Sequence, residues 1–218
     1  STFRVAVCDL NGIMRGKRLP ILGHTKLRTD HIRMPLSVLN VDLWGRDIED
    51  SPFVFESGDV DGFLKPTERG PVPMPWLCQK SAIIPMWMFS EDGSAFAGDP
   101  RHALAQVLDR YVNRGWQVIA ATELEFYLVD DSKSELLPVI NPTNKRRLDA
   151  SDTLSLQQLE DFDAFFSDVY EACDELGIVA EAATSECGIG QFEMSIAHRD
   201  AMRMADDTWL FKFLIKRL

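Results

Sequence analysis

Short alternating runs of apolar and polar residues, interrupted by proline and glycine, fill the chain from its start to Gly98 and predict strands rather than helices. Phe3-Arg4-Val5-Ala6-Val7 is the first such run. Asn11-Gly12 then reads as a type I′ turn into a second strand at Met14-Arg15-Gly16-Lys17-Arg18. Strands are also expected over residues 38–43, 62–65 and 82–89, with prolines at 66, 71, 73 and 75 forcing a long loop between the last two.

At Gly98 the spacing changes. Asp99-Pro100 predicts a helix start, with aspartate as the cap and proline at the first helical position, where no N–H is needed. Ala103, Leu104, Val107, Leu108 and Tyr111 fall on one helical face, and Gly115 ends the helix. A long strand is expected over 116–129, then a polar loop with Pro138 and Pro142. A helix over 155–176 follows from the spacing of Leu156, Leu159, Phe162, Phe166, Val169, Tyr170, Cys173 and Leu176, and Gly177 stops it. Strands over 178–183 and 190–197 lead to a final helix over 199–218, which carries no stop signal. The pattern is α+β in two parts, a small domain at 1–98 and a sheet with flanking helices at 99–218.

With 45% hydrophobic and 26% charged residues, the chain has the material for a core. Acidic residues outnumber basic ones, 34 to 23, for a net charge of −11, so no nucleic-acid or anionic-membrane partner is expected. Cys8, Cys78, Cys173 and Cys187 are scattered, which argues against a zinc site or disulfide framework and suits a reducing compartment. The most apolar stretch, 81–89, is too short to span a bilayer, and no signal-peptide pattern opens the chain. The cytoplasm is the expected location.

Two acidic clusters change this picture. In Thr122-Glu123-Leu124-Glu125-Phe126 the glutamates share one strand face, with Cα atoms ~6.5–7 Å apart. At an effective dielectric of ~20 they repel by ~2–3 kcal/mol, a sign that a cation beside them reverses. An isolated pair of this kind is most often a solvated strand face. The second cluster is Glu186-Cys187-Gly188-Ile189-Gly190-Gln191-Phe192-Glu193. Its glycines permit a tight turn after Glu186, and the following strand sets Gln191, Glu193 and Ser195 on one face and Phe192, Met194 and Ile196 on the other. A sheet would bring the two polar faces side by side. Carboxylates without histidine or cysteine are hard oxygen donors suited to Mg²⁺ or Mn²⁺, which commonly serve phosphoryl chemistry.

These two motifs resemble the glutamine synthetase family, including its γ-glutamylpolyamine synthetase branch. Gly98-Asp99-Pro100-Arg101 is similar to the family's domain junction, and the segment from Asp9 to Lys17 looks like its N-terminal hairpin. The resemblance implies a β-grasp-like domain at 1–98, followed by the first part of the catalytic β-sheet domain. It matches Glu125, Glu186 and Glu193 to the metal site nearest the amino-acid substrate, Glu123 to the second metal beside the ATP phosphates, and Glu181 to a position near the nucleotide. An amine-site aspartate, contributed across a subunit boundary, would be Asp42, Asp59 or Asp61.

The implied reaction phosphorylates the γ-carboxylate of glutamate with ATP, and ammonia then displaces the phosphate. Homo-oligomeric rings are implied as well. Thr184-Ser185 stands where family members commonly carry histidines, which leans towards an organic amine such as a polyamine. Family chains are roughly twice as long, so an incomplete site is expected, and with it the alternative of a non-catalytic, metal-binding relative. A phosphate-loop reading of Gly12 to Lys17 fails on spacing. His24, His31, His102 and His198 are scattered, with His102 expected at the surface, and Trp87 is expected in the core.

Overall fold

The computed structural model describes residues 2–28 and 32–218, and His31 lies outside them. The elements run β1 (Thr2–Cys8), β2 (Met14–Pro20), β3 (Arg33–Pro35), α1 (Pro52–Phe55), β4 (Asp61–Pro66), β5 (Val72–Pro73) and β6 (Ser81–Phe89). They continue with α2 (Pro100–Val112), β7 (Ile119–Tyr127), β8 (Val129–Asp130), β9 (Leu137–Pro138), α3 (Leu156–Asp161) and α4 (Asp163–Leu176). The last are β10 (Ala180–Ser185), β11 (Gln191–Asp200) and α5 (Ala201–Ile215). Strands and helices both build the molecule, as expected. No helix among the described residues is long and apolar enough to cross a membrane. Two compact units result, residues 1–118 with 200–213 and residues 119–199 with 214–218.

In the first unit the strand order is β2-β1-β6-β4-β3, with β5 also beside β6. The alternation in β1 buries Phe3, Val5 and Val7 on a core shared with Met34, Leu64, Ile84, Met86 and Met88. Central β6 buries both Ile83 and Ile84, which explains its unbroken apolar run. The β1–β2 hairpin forms as expected, but its turn is not type I′, because only Gly12 of the central pair has positive φ. Instead the buried Asp9 carboxylate accepts the N–H groups of Asn11 and Ile13, both at 2.9 Å, and pairs with Arg15 Nε at 2.8 Å. Residues 38–43 do not form the expected strand. A 3-10 helix at Leu36–Leu39 occupies part of the segment, and Val41 makes only an isolated bridge to Asp47.

Asp99 caps α2 by accepting Arg101 N–H at 2.9 Å, while its other oxygen accepts Met88 N–H at 2.9 Å. His102 is buried rather than at the surface. Its ring N–H donates to the Met88 carbonyl at 2.9 Å, and the ring stacks on Trp87 with centroids 4.6 Å apart. The expected apolar face of α2 is not the buried one, since Val107 and Tyr111 are exposed. Helix α5 buries Leu210 and Phe211, and its buried Asp206 and Asp207 meet Arg101 and Arg69.

In the second unit a three-stranded sheet runs β10-β11-β7. Phe192, Met194 and Ile196 of β11 are fully buried, and Phe192 meets Phe162 and Phe166 edge-on at 5.4 and 5.2 Å. The single helix expected over 155–176 is two helices. Buried Phe162 leaves helical geometry, at φ −110° and ψ 21°, between α3 and α4. Gly177 stops α4 at φ 67°, as its sequence position predicts.

Candidate active site

Strand β7 alternates as its sequence requires: Ala121, Glu123, Glu125 and Tyr127 are exposed, while Thr122, Leu124 and Phe126 are half-buried. Phe126 lies 6.1 Å from Phe165 and 6.3 Å from Phe192, centroid to centroid, which marks the inner side of the sheet. On the neighbouring β11, Phe192, Met194 and Ile196 take the inner side, leaving Gln191, Glu193 and Ser195 opposite. Thr184 of β10 pairs in register with Glu193 and therefore shares its face.

Glu186 follows β10 in a turn closed by its own N–H to the Gln191 carbonyl (2.9 Å) and by Gln191 N–H to the Gly188 carbonyl (3.0 Å). Gly190 has φ +72°, in the left-handed region that favours glycine, and its carbonyl accepts Leu128 N–H at 2.9 Å. The turn is thus pinned to the chain just beyond β7. Thr184 Oγ1 donates to Glu186 Oε1 at 3.5 Å, and Gln191 Nε2 donates to Glu125 Oε2 at 2.5 Å.

Glu193 feels the other three glutamates. Desolvation raises the pKa of Glu193 first, followed by the charges of Glu123, Glu186 and Glu125, while a hydrogen bond from Ser195 acts in the opposite sense. Like charges on one face repel, and two of the carboxylates are turned to uncharged donors. Among the described residues no group of three or more His, Cys, Asp or Glu side chains is drawn together tightly enough to hold a metal ion. The donor set is nonetheless all carboxylate oxygen, the chemistry hard divalent cations take.

The other expected site residues stand differently. Glu181 is exposed at a β-bulge, where the register with β11 slips between Ala180 and Ala182. Asp42, Asp59 and Asp61 belong to the first unit, whereas the glutamates belong to the second. Asp42 is bound into its own turn, accepting Trp44 N–H at 2.9 Å and Arg46 N–H at 2.8 Å. Asp59 accepts Ser37 Oγ–H at 2.5 Å, and Asp61 is exposed at the start of β4. Ser185 has a structural task that its sequence position did not reveal. Buried, its hydroxyl accepts Ser155 N–H and donates to the Asp152 carbonyl, both at 2.8 Å, holding the start of α3. A groove of about 690 Å³, lined by apolar residues such as Val139, Phe162 and Phe165 and by the charged Asp131, Asp168 and Lys216, includes none of the glutamates.

Residues 97–218 match the family model described as the glutamine synthetase catalytic domain. The chain belongs to the glutamine synthetase family. It is 31% identical over 216 residues to γ-glutamylputrescine synthetase PuuA of Escherichia coli strain K12, covering 97% of this chain and 46% of that protein. Glutamate–isopropylamine ligase of a Pseudomonas species is 27% identical, covering 100% of this chain and 48% of the relative. Glutamine synthetase of Thermotoga maritima is 28% identical over 177 residues, covering 76% and 39%. Among solved structures, a glutamine synthase homolog superposes with a TM-score of 0.80 at 22% identity, covering 98% of this chain and 47% of the other. A GmaS–ADP complex gives 0.79 at 23% identity, covering 99% and 45%. The chain spans less than half the length of each of these relatives. As family homologues are glutamine synthetase-type ligases, the chain is assigned to that ligase family.

Proposed function

We propose that this chain carries part of the active site of an ATP-dependent ligase that joins an amine nitrogen to the γ-carboxylate of glutamate through a γ-glutamyl phosphate. The observation that carries this reading is the acidic face that neighbouring β7 and β11 share, where Glu123, Glu125 and Glu193 stand opposite the apolar side and the Glu186 turn adjoins them. Glu125, Glu186 and Glu193 would hold one Mg²⁺ or Mn²⁺, and Glu123 a second, with Glu181 towards the nucleotide. Bound there, such cations neutralise phosphate charge during phosphoryl transfer. The protein's own part is to keep Glu123, Glu125 and Glu193 on one sheet face and Glu186 in the turn beside it, with apolar residues filling the opposite face.

Residues 1–98 act in this reading as a β-grasp-like domain and 99–218 as the first part of the catalytic domain, a division supported by a family match beginning at residue 97. One of Asp42, Asp59 and Asp61 would serve the amine site of a neighbouring subunit in a homo-oligomer. Location in the cytoplasm suits four free cysteines.

Ammonia is the family's general acceptor. An organic amine is favoured by Thr184-Ser185, whose serine is committed to holding α3, and by the amine named for two of the relatives, putrescine and isopropylamine. The decisive experiment titrates the chain with Mn²⁺ under electron paramagnetic resonance. Saturable binding by the wild type, weakened at least tenfold in Glu125→Gln and Glu193→Gln, supports the reading. Absence of wild-type binding overturns it. On a protein extended to the relatives' full length, ATP-dependent phosphate release with glutamate and a panel of ammonia, putrescine and isopropylamine then separates the acceptors.

A further inference from the structure

One polar side chain on the acidic face is held at both ends. Gln191 Oε1 accepts the backbone N–H of Gly188 at 2.8 Å, and its Nε2 donates to Glu125 Oε2 at 2.5 Å. The first contact fixes the second. A backbone N–H can only donate, so the amide oxygen must face Gly188 and the NH₂ group must face the carboxylate. The amide therefore cannot turn over without losing both bonds.

Gly188 is shaped to this arrangement. A Cβ built there would lie 2.6 Å from Tyr127 Oη and 2.7 Å from Gln191 Oε1. Tyr127 and Glu125 stand on the same face of β7. The 186–191 turn thus rests on β7 through two side chains, one of them a glutamate of the acidic face. Its other anchor is the Gly190 carbonyl, which accepts Leu128 N–H.

We propose that Gln191 is a positioning residue that ties the Glu125 carboxylate to the 186–191 turn, so that Glu125 keeps one orientation towards Glu186 and Glu193. The inference rests on reading the acidic face as a cation site, and it deepens that reading. A neutral amide suits the task. A lysine or arginine here would neutralise Glu125 and compete with a cation, whereas an amide holds one oxygen and leaves the negative charge in place. Gln191 itself touches no reacting group.

The experiment has two arms, both on the full 218-residue chain. The first needs no cation. Amide hydrogen exchange and side-chain ¹H–¹⁵N resonances are compared for the wild type, Gln191→Leu, Gly188→Ala and Glu125→Ala. Exchange at Gly188 is expected to accelerate roughly 3- to 10-fold in Gln191→Leu, the size of one lost hydrogen bond. The Gln191 side-chain amide protons are expected to move towards the values of a free glutamine in Glu125→Ala and in Gly188→Ala. In the second arm Mn²⁺ binding is expected to weaken roughly 3- to 10-fold in Gln191→Leu and in Gly188→Ala, and no further in the double variant, because both break one connection.

Unchanged Gly188 exchange in Gln191→Leu overturns the proposal, and so do Mn²⁺ losses that add. Wild-type protein that binds no Mn²⁺ yet gives the expected exchange and resonance changes upholds the positioning role, while overturning the cation reading.

Discussion

Burial and the charges of Glu123, Glu186 and Glu125 hold the Glu193 proton more tightly than an ordinary carboxylate would, and Ser195 opposes only part of this. A carboxyl whose pKa is raised on folding binds a proton that the unfolded chain has already released. Stability therefore falls as pH rises from the usual carboxylate value through the raised one, and the loss is complete above it. Glu193→Gln removes that penalty. We expect it to raise the unfolding midpoint at pH 7, by under ~1 kcal/mol given solvent screening, with no gain below about pH 4. Thermal melts at the two pH values check this. A loss of stability at pH 7 would contradict mutual repulsion on the acidic face. The polar face carrying Glu123, Glu125, Glu186 and Glu193 was legible in the sequence because strand alternation and two glycines suffice to predict it. The task of Gln191 was not, since its partner Glu125 lies 66 residues away on β7 and only the folded sheet brings the two together.

At the scale of elements, Asp99 illustrates how a local signal can carry a tertiary role. Asp-Pro predicted the start of α2, and the cap is present. The same carboxylate also satisfies the N–H of Met88 in the middle of the first unit's buried sheet. Asp99→Ala should lose both the cap and the partner of a buried N–H, about 2–4 kcal/mol together. Asp99→Asn keeps an acceptor and should recover part of that loss. Urea unfolding of the two variants tests the difference, and equal destabilisation would show that the charge rather than the acceptor matters. Where the pattern misled, a polar or aromatic side chain had found a partner that the pattern does not weigh. Asp9 organises the hairpin turn in place of Asn11-Gly12, His102 turns inward to the Met88 carbonyl, and Phe162 breaks a periodic helix to reach Phe192.

At the scale of the molecule, the chain leaves the first unit at Val118 and returns to it at Asp200. The return is secured in several ways. Ala201 N–H donates to the Val118 carbonyl at 3.1 Å, and Lys212 Nζ donates to the Asn11 carbonyl at 3.0 Å. Asp207, with a fully buried side chain, meets Arg69 at 3.2 Å and Arg203 at 3.0 Å, and Asp206 pairs with Arg101. Leu210 and Phe211 are buried alongside them. A sequence rule sees an aspartate pair inside an apolar helix as an anomaly, and Arg69 and Arg101, distant in sequence, join the nearby Arg203 in resolving it. Removing one member of a buried ion pair leaves an uncompensated charge, so Asp207→Ala should cost about 3–5 kcal/mol. The stronger consequence concerns α5 as a whole. Residues 1–118 expressed alone would lose the contact of Trp76 with Phe213 and strand the charges of Arg69 and Arg101. We expect poorly dispersed amide resonances from that piece, and recovery of dispersion when a synthetic peptide of residues 200–215 is added. The same peptide with Asp207→Ala should restore far less. Native-like dispersion without any peptide would mean that α5 merely rests on a unit already complete.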